Sequence, residues 1–192
     1  MRISSGFLKG RTFYPPADHW PTRPTTDIAR TGLFNILTNE LDFENIKVLD
    51  LFGGTGAHSY EFISRGCLSV TYVDKFIPAV KFTKQKAKEF NIEDKIEIIH
   101  GDYLTYIQKC NKSFDYIFAG PPYGLKELNQ IPDQILSSSI LNTDGMLVVE
   151  HNPEYFFDEH VCFIKKRNYG QTIFSFFKHG LKDEELNDEL NL

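Results

Sequence analysis

Apolar residues follow two rhythms along this chain. Short runs rich in Val, Ile, Leu and aromatics recur at residues 47–51, 69–73, 95–99, 116–119 and 145–150, and each reads as a strand. Between them a helical spacing predicts helices over 57–65, 78–90, 103–109 and 132–141. Thr25 or Thr26 is placed to N-cap an earlier helix that runs to about Glu40, with Ile28, Leu33, Phe34 and Leu37 on one face. Strand and helix in alternation predict a parallel, doubly wound α/β sheet. Near the end the rhythm changes: 161–167 and 171–177 flank Asn168-Tyr169-Gly170, a signal for an antiparallel hairpin. The first 14 residues alternate and end in Tyr14-Pro15-Pro16, which predicts a β-hairpin outside the main fold, with Gly6 and Gly10 in its turn.

Composition narrows this picture without changing it. A chain of 192 residues, 41% hydrophobic and 24% charged, suits one soluble α/β domain with a short extension. No apolar run approaches the roughly 18 residues of a membrane span, and MRISSGFLKG lacks the apolar stretch of a signal peptide. Cys67, Cys110 and Cys162 are odd in number and far apart, without metal-ligand spacing, so we expect reduced thiols, no metal and a cytoplasmic location. The net charge of −5 is unevenly spread. Residues 1–30 hold Arg2, Lys9, Arg11, Arg23 and Arg30 against Asp18 and Asp27, either a polyanion-binding arm or a solvated face. The acidic stretch 179–192 reads as a flexible tail, residues 25–178 as the main domain and 1–24 as an extension.

Candidate chemistry sits at strand ends. VLDLFGGTGA, residues 48–57, is a strand, a glycine turn and a helix start. Gly53, Gly54 and Gly56 let backbone approach a ligand, which fits a dinucleotide pyrophosphate as well as S-adenosylmethionine. Asp74 ends the second strand, where a carboxylate accepts ribose hydroxyls in either class, and Asp102 after the third is placed for an adenine amine. Asp50 separates the two readings better: a carboxylate before the glycines repels a pyrophosphate and favours a ligand with an ammonium and a sulfonium. The run FDYIFAGPPYGL, residues 114–125, adds a strand that enters Gly120-Pro121-Pro122-Tyr123. Adjacent prolines stiffen that loop and leave its carbonyls outside the sheet ladder. A flat ring beside fixed acceptors suits a planar base bearing an exocyclic amine.

With these residues in place, the chain resembles the RsmD family of 16S rRNA guanine-N2 methyltransferases. The resemblance rests on MRISSGFLKGR, RPTTDIARTGLFNIL (23–37), VLDLFGGTG, EFISRGC (61–67), the 114–123 segment, 145–150 and Asn168-Tyr169-Gly170. It implies a class I methyltransferase fold, S-adenosylmethionine as donor, and one guanine amine of 16S rRNA as acceptor, within a partly assembled small ribosomal subunit. The implied state is a monomer without membrane or metal. Asp50, Phe52, Gly53, Gly54, Thr55, Gly56, Asp74, Lys75, Asp102 and Tyr103 fall on cofactor positions; Gly120, Pro121, Pro122 and Tyr123 fall on the target-base loop. Arg2, Lys9, Arg11 and Arg23 match a basic arm that holds RNA phosphates.

The chain also departs from that family. Gly120 replaces an Asp or Asn, Thr31 a Glu, Gly53 an Ala, His58-Ser59 a Leu-Gly pair, and Ser4 an Ile. The change at Gly53 is expected to be harmless to the turn, and His58 to lie on a helix face. Trp20 is expected to pack on its neighbouring prolines. Gly120 offers no side-chain acceptor, so the function expected is donor and RNA binding with methylation either reduced or rescued by another acceptor, Asp27, Glu127 and Glu150 being candidates. Three alternatives remain open at this point: a silent RNA-binding and S-adenosylmethionine-binding homologue, an amino-methyltransferase for another nucleic acid or a small molecule, and a nicotinamide oxidoreductase.

Overall fold

The computed structural model describes residues 1–16, 20 and 25–180. Arg23 and the stretch from 181 onward, which carries most of the expected acidic tail, lie outside the described residues.

Seven strands form one sheet. In chain order the elements are α1 (Asp27–Leu37), β1 (Lys47–Leu51), α2 (Ala57–Ser64), β2 (Ser69–Asp74), α3 (Ile77–Glu89), β3 (Ile96–His100), α4 (Tyr103–Lys109), β4 (Phe114–Ala119), α5 (Ile131–Leu136), β5 (Leu141–His151), β6 (Phe163–Tyr169) and β7 (Thr172–Phe177). The sheet order is β3-β2-β1-β4-β5-β7-β6. Strands β1 to β5 run parallel, and β7 joins β5 and β6 antiparallel. The doubly wound sheet with its terminal hairpin is thus the class I methyltransferase architecture.

Alternation along the buried strands divides the core into two layers. Val48, Tyr116, Phe118, Val148 and Phe176 point to one face, where α1, α2 and α3 pack. Leu49, Ile117, Ala119, Val149 and Phe177 point to the other, against α4 and α5. Asp50 and Glu150 share the parity of Val48 and Val148, so both carboxylates belong to the first face. Register brings them close to the target loop: Asp50 pairs with Phe118, and Ala119 with Val149. One residue past that last pair stand Gly120 and Glu150.

Several expectations need correction. Residues 1–13 fold back as the expected antiparallel hairpin, closed by the Arg2–Thr12 bridge and by backbone bonds from Ile3 to Arg11 and from Phe13 to Met1, but without two regular strands. Nor is this segment outside the main fold, because Ile3, Leu8 and Phe13 are buried in the first core layer. Phe13 meets Tyr60 edge-on at 5.2 Å between ring centroids, and Phe90 at 6.3 Å. Phe13→Ala should therefore destabilise the whole domain by about 3–5 kcal/mol in a urea melt; a loss below about 1 kcal/mol would mark the segment as an appendage. Helix α1 buries Ala29, Arg30, Leu33, Phe34 and Leu37 and leaves Ile28 79% exposed. The inward face is one position round from the expected one. Helix α5 stops at Leu136, five residues early, because Leu141 already begins β5.

Candidate active site

The parallel strands β1, β4 and β5 end at one edge of the sheet, and a cavity of about 290 Å³ opens there. Its walls include Asp50, Phe52, Gly53, Gly54 and Thr55 from the first turn and Gly120, Pro121, Pro122 and Tyr123 from the loop after β4. The two halves of the expected site therefore face one space. Asp74, Lys75, Asp102 and Tyr103 sit at the ends of β2 and β3 on the same sheet edge, outside this lining.

The glycine turn is shaped by close approach. Phe52 adopts φ 61°, a left-handed conformation rare for a bulky residue, and its ring packs on Tyr103 at 4.6 Å. Gly56, at φ 75°, starts α2. Asp74 fixes the turn from below: its Oδ2 accepts from the Gly54 amide at 2.8 Å and its Oδ1 from the Phe76 amide at 2.7 Å. Gly53 is matched to its surroundings. A Cβ there would lie 2.3 Å from the Tyr72 ring, whose hydroxyl donates to the Gly54 carbonyl at 2.8 Å. In this chain Tyr72 fills the space that alanine would need. Asp102 N-caps α4, with Oδ1 accepting from the Leu104 and Thr105 amides.

Asp50 is fully buried, and burial pushes its carboxyl up to about 7 against a bond from Ser59 that favours the charge. Ser59 Oγ donates to Oδ2 at 2.5 Å, while Oδ1 is buried without a partner. Asp50 also lines the cavity, so its carboxyl, once ionised, favours a cationic ligand there. His58, its neighbour, is buried and lines the cavity as well, stacked on Phe118 at 3.8 Å and bonded to the Tyr116 hydroxyl at 3.2 Å. Burial, with the Arg30 charge second, pushes its imidazole well below the usual range, so it stays neutral. His58, expected on a helix face, is thus in the cavity wall, and Ser59 touches the site through Asp50.

Across the cavity, Glu150 is buried and accepts two hydroxyl bonds, from Thr25 Oγ1 to Oε2 at 2.5 Å and from the Tyr123 hydroxyl to Oε1 at 3.0 Å. Burial raises its carboxyl above the ordinary range, while the two hydroxyls lower it. Tyr123 also shares a hydrogen bond with Thr172 Oγ1 at 3.2 Å, which fixes its ring against β5 and β7. The other two candidate acceptors are elsewhere. Asp27 is paired with Arg30 and half exposed, Glu127 is exposed, and neither lines the cavity.

Further wall residues escaped the sequence reading. Trp20 lines the cavity and packs edge-on against Phe76 and Phe82, each at 5.8 Å, while Pro21, the proline it was expected to pack beside, lies outside the described residues. Thr25 and Arg30 line it too. For Arg30 the signal was the helical period: positions 26, 30, 33 and 37 share a face, and 30 is the only charged one. Of the basic arm, Arg2, Lys9 and Arg11 are exposed on the N-terminal segment, whose first residue reaches the cavity rim, and Arg23 lies outside the described residues. Among the described residues, no group of three or more His, Cys, Asp or Glu is placed to hold a metal ion, and no helix is long and apolar enough to cross a membrane.

Comparison with known proteins decides the family. A family model described as conserved hypothetical protein 95 matches residues 1–178. The chain belongs to this family, and it is an RsmD-type methyltransferase. Among its relatives is YlbH of Bacillus subtilis, named as a candidate rRNA methyltransferase, 31% identical over 93% of this chain and 98% of the relative. Ribosomal RNA small subunit methyltransferase D of Buchnera aphidicola (subsp. Baizongia pistaciae) is 31% identical over 67% of this chain and 64% of its own. Two solved structures share the RsmD-type fold. The Escherichia coli methyltransferase candidate yhhF superposes with a TM-score of 0.79 at 20% identity, covering 92% of this chain and 96% of the other. The 16S rRNA N2 G1207 methyltransferase of Thermus thermophilus, solved with AdoMet and guanosine, gives 0.64 at 18% identity, over 82% of this chain and 44% of the other.

Proposed function

We propose that this RsmD-type protein methylates the exocyclic N2 of one guanine in 16S rRNA, using Glu150 as the acceptor that Gly120 lacks. The chain is an rRNA methyltransferase and its donor is S-adenosylmethionine; the proposal adds the finer assignment of acceptor atom and residue. The observation that carries the finer one is the adjacency of Gly120 and Glu150 one step past the Ala119–Val149 pair. Neighbouring strands lie about 4.8 Å apart, so a side chain at 150 on this face reaches the space a side chain at 120 would occupy.

The residues present fit the donor. Asp50 offers its orphan oxygen to the amino-acid ammonium. Phe52, Gly53, Gly54, Thr55 and Gly56 form the turn that passes beneath it, and Asp74, Lys75, Asp102 and Tyr103 extend the site along the sheet edge toward ribose and adenine. Bound here, S-adenosylmethionine supplies an electrophilic methyl on a positively charged sulfur. The protein's task is alignment and charge stabilisation. Tyr123, with its hydroxyl tied to Glu150 and Thr172, presents its ring face to a base taken out of its stack. The carbonyls of the Gly120-Pro121-Pro122 loop and the Glu150 carboxylate accept from the amine as it becomes positive. Arg2, Lys9, Arg11 and Arg23 hold RNA phosphates at the rim. The RNA is presented within a partly assembled small subunit.

Transfer of tritiated methyl from S-adenosylmethionine to partly assembled small subunits lacking the mark tests this reading. Label at a single guanine N2 is expected. Label on DNA adenine, or none despite donor binding, would overturn it.

A further inference from the structure

We infer that Arg30 is the carboxylate-binding residue for the amino-acid end of the methyl donor, working opposite Asp50 in a two-point clamp for a zwitterion. The inference rests on S-adenosylmethionine being the donor, and goes beyond it in assigning a residue from the helix that precedes the sheet.

Arg30 is an unusual side chain for its position. It lies on the apolar face of α1, 3% exposed, between Ala29 and Leu33. Its Nη2 donates to the Arg2 carbonyl at 2.6 Å and pairs with Asp27 Oδ1 at 2.9 Å. Its Nη1 is buried without a partner. Leaving a charged donor dry and unpaired is costly, and the guanidinium is rigid enough that Nη2's two acceptors fix the direction of Nη1. Asp27 balances part of the charge but is half exposed and engages the other nitrogen.

The same cavity wall holds the complementary orphan, Asp50 Oδ1. The described residues contain three buried side-chain atoms of this kind, and two of them belong to Arg30 and Asp50, residues of opposite charge that both line one 290 Å³ space. They are not bonded to each other. A ligand that satisfies both carries an ammonium and a carboxylate close together, which is an α-amino acid group. His58, neutral and in the same wall, adds no second cation to compete for the carboxylate. An RNA phosphate is the other possible anion, but Arg2, Lys9 and Arg11 are exposed for that purpose and Arg30 is not.

Calorimetry with two donors that differ only in this group provides the test. Decarboxylated S-adenosylmethionine keeps the ammonium, sulfonium and adenosine. Wild type should bind S-adenosylmethionine tighter than the decarboxylated form by on the order of 10–100-fold, the effect of one charge-assisted bond. In Arg30→Met that preference should collapse to within about threefold, with affinity for the decarboxylated form unchanged; Arg30→Lys should keep part of it. Equal losses for both ligands in Arg30→Met would overturn the inference, as would a wild type that does not discriminate. So would weakened rRNA binding with the discrimination intact, which would give Nη1 to a phosphate. Should Arg30→Met fail to fold, the wild-type comparison and Arg30→Lys still decide. Absence of S-adenosylmethionine binding in wild type would instead sink the donor assignment.

Discussion

Glu150→Gln should lower kcat for methyl transfer by on the order of 10²–10³ while leaving S-adenosylmethionine affinity within about twofold. That is the usual effect of removing one fixed group aimed at developing charge. Glutamine keeps the size, an acceptor oxygen for one of the two hydroxyls and an NH2 that can donate to the other, so the fold survives; what disappears is the negative charge beside the amine. Single-turnover rates with saturating donor and assembled RNA substrate measure it. Because the carboxyl of Glu150 is raised by burial, its acidic limb in kcat lies above the ordinary glutamate range, and Gln removes that limb. The partner experiment is Gly120→Asp. The backbone at 120 is outside the left-handed region, and a Cβ there would lie 3.0 Å from Phe118 Cε1, so the ring must yield a few tenths of an ångström against its stack on His58. In the Glu150→Gln background Gly120→Asp should recover part of the lost rate. Alone, it should change the rate by less than about tenfold. A gain of a hundredfold in the single variant would show that the loop is impaired and that Glu150 is not its substitute.

That pairing explains which parts of the molecule a single sequence can disclose. The five parallel strands are apolar runs bounded by turns, a local property, and their positions follow directly. The turn after β1 and the loop after β4 are also local, so Asp50 and Tyr123 were readable as site residues. Relations between elements were not. Glu150 was one of three candidate carboxylates until strand register placed it next to Gly120. Nothing local reveals that the Tyr72 ring, two strand positions before Asp74, occupies the space a Cβ at Gly53 would need. Arg30 was counted among surface charges although its spacing from Leu33, Phe34 and Leu37 put it on the buried face. Ile28 had drawn that face one position off. Periodicity carried the information there, and the error was to let chemical type override it. Helix α5 ended early for a related reason: Leu141 serves a strand, and an apolar residue at a boundary fits both periods.

Cofactor binding should expel about half a proton at pH 7. Asp50 carries the argument. Its carboxyl sits near 7, so about half of the free protein holds a proton there, and an ammonium at Oδ1 is compatible only with the ionised form. Affinity should therefore rise with pH up to about 7, by close to tenfold per unit well below it, and level off above. Calorimetry at one pH in two buffers of different ionisation enthalpy reads the proton directly. Asp50→Asn should abolish the release and weaken S-adenosylmethionine by on the order of 10²–10³, the scale for breaking a buried charge pair. The free protein should show the same linkage from the other side. A folded-state value raised from 3.8 to about 7 means that the stability contributed by protonated Asp50 is complete below pH 3.8 and is lost as pH rises through 7, about 4 kcal/mol in all. The difference in melting temperature between wild type and Asp50→Asn should thus widen in favour of the variant from pH 4 to pH 8, and saturating donor should close it. A pH-independent difference, or donor affinity indifferent to Asn at position 50, would mean that the buried carboxylate serves the turn through Ser59 and not the ligand.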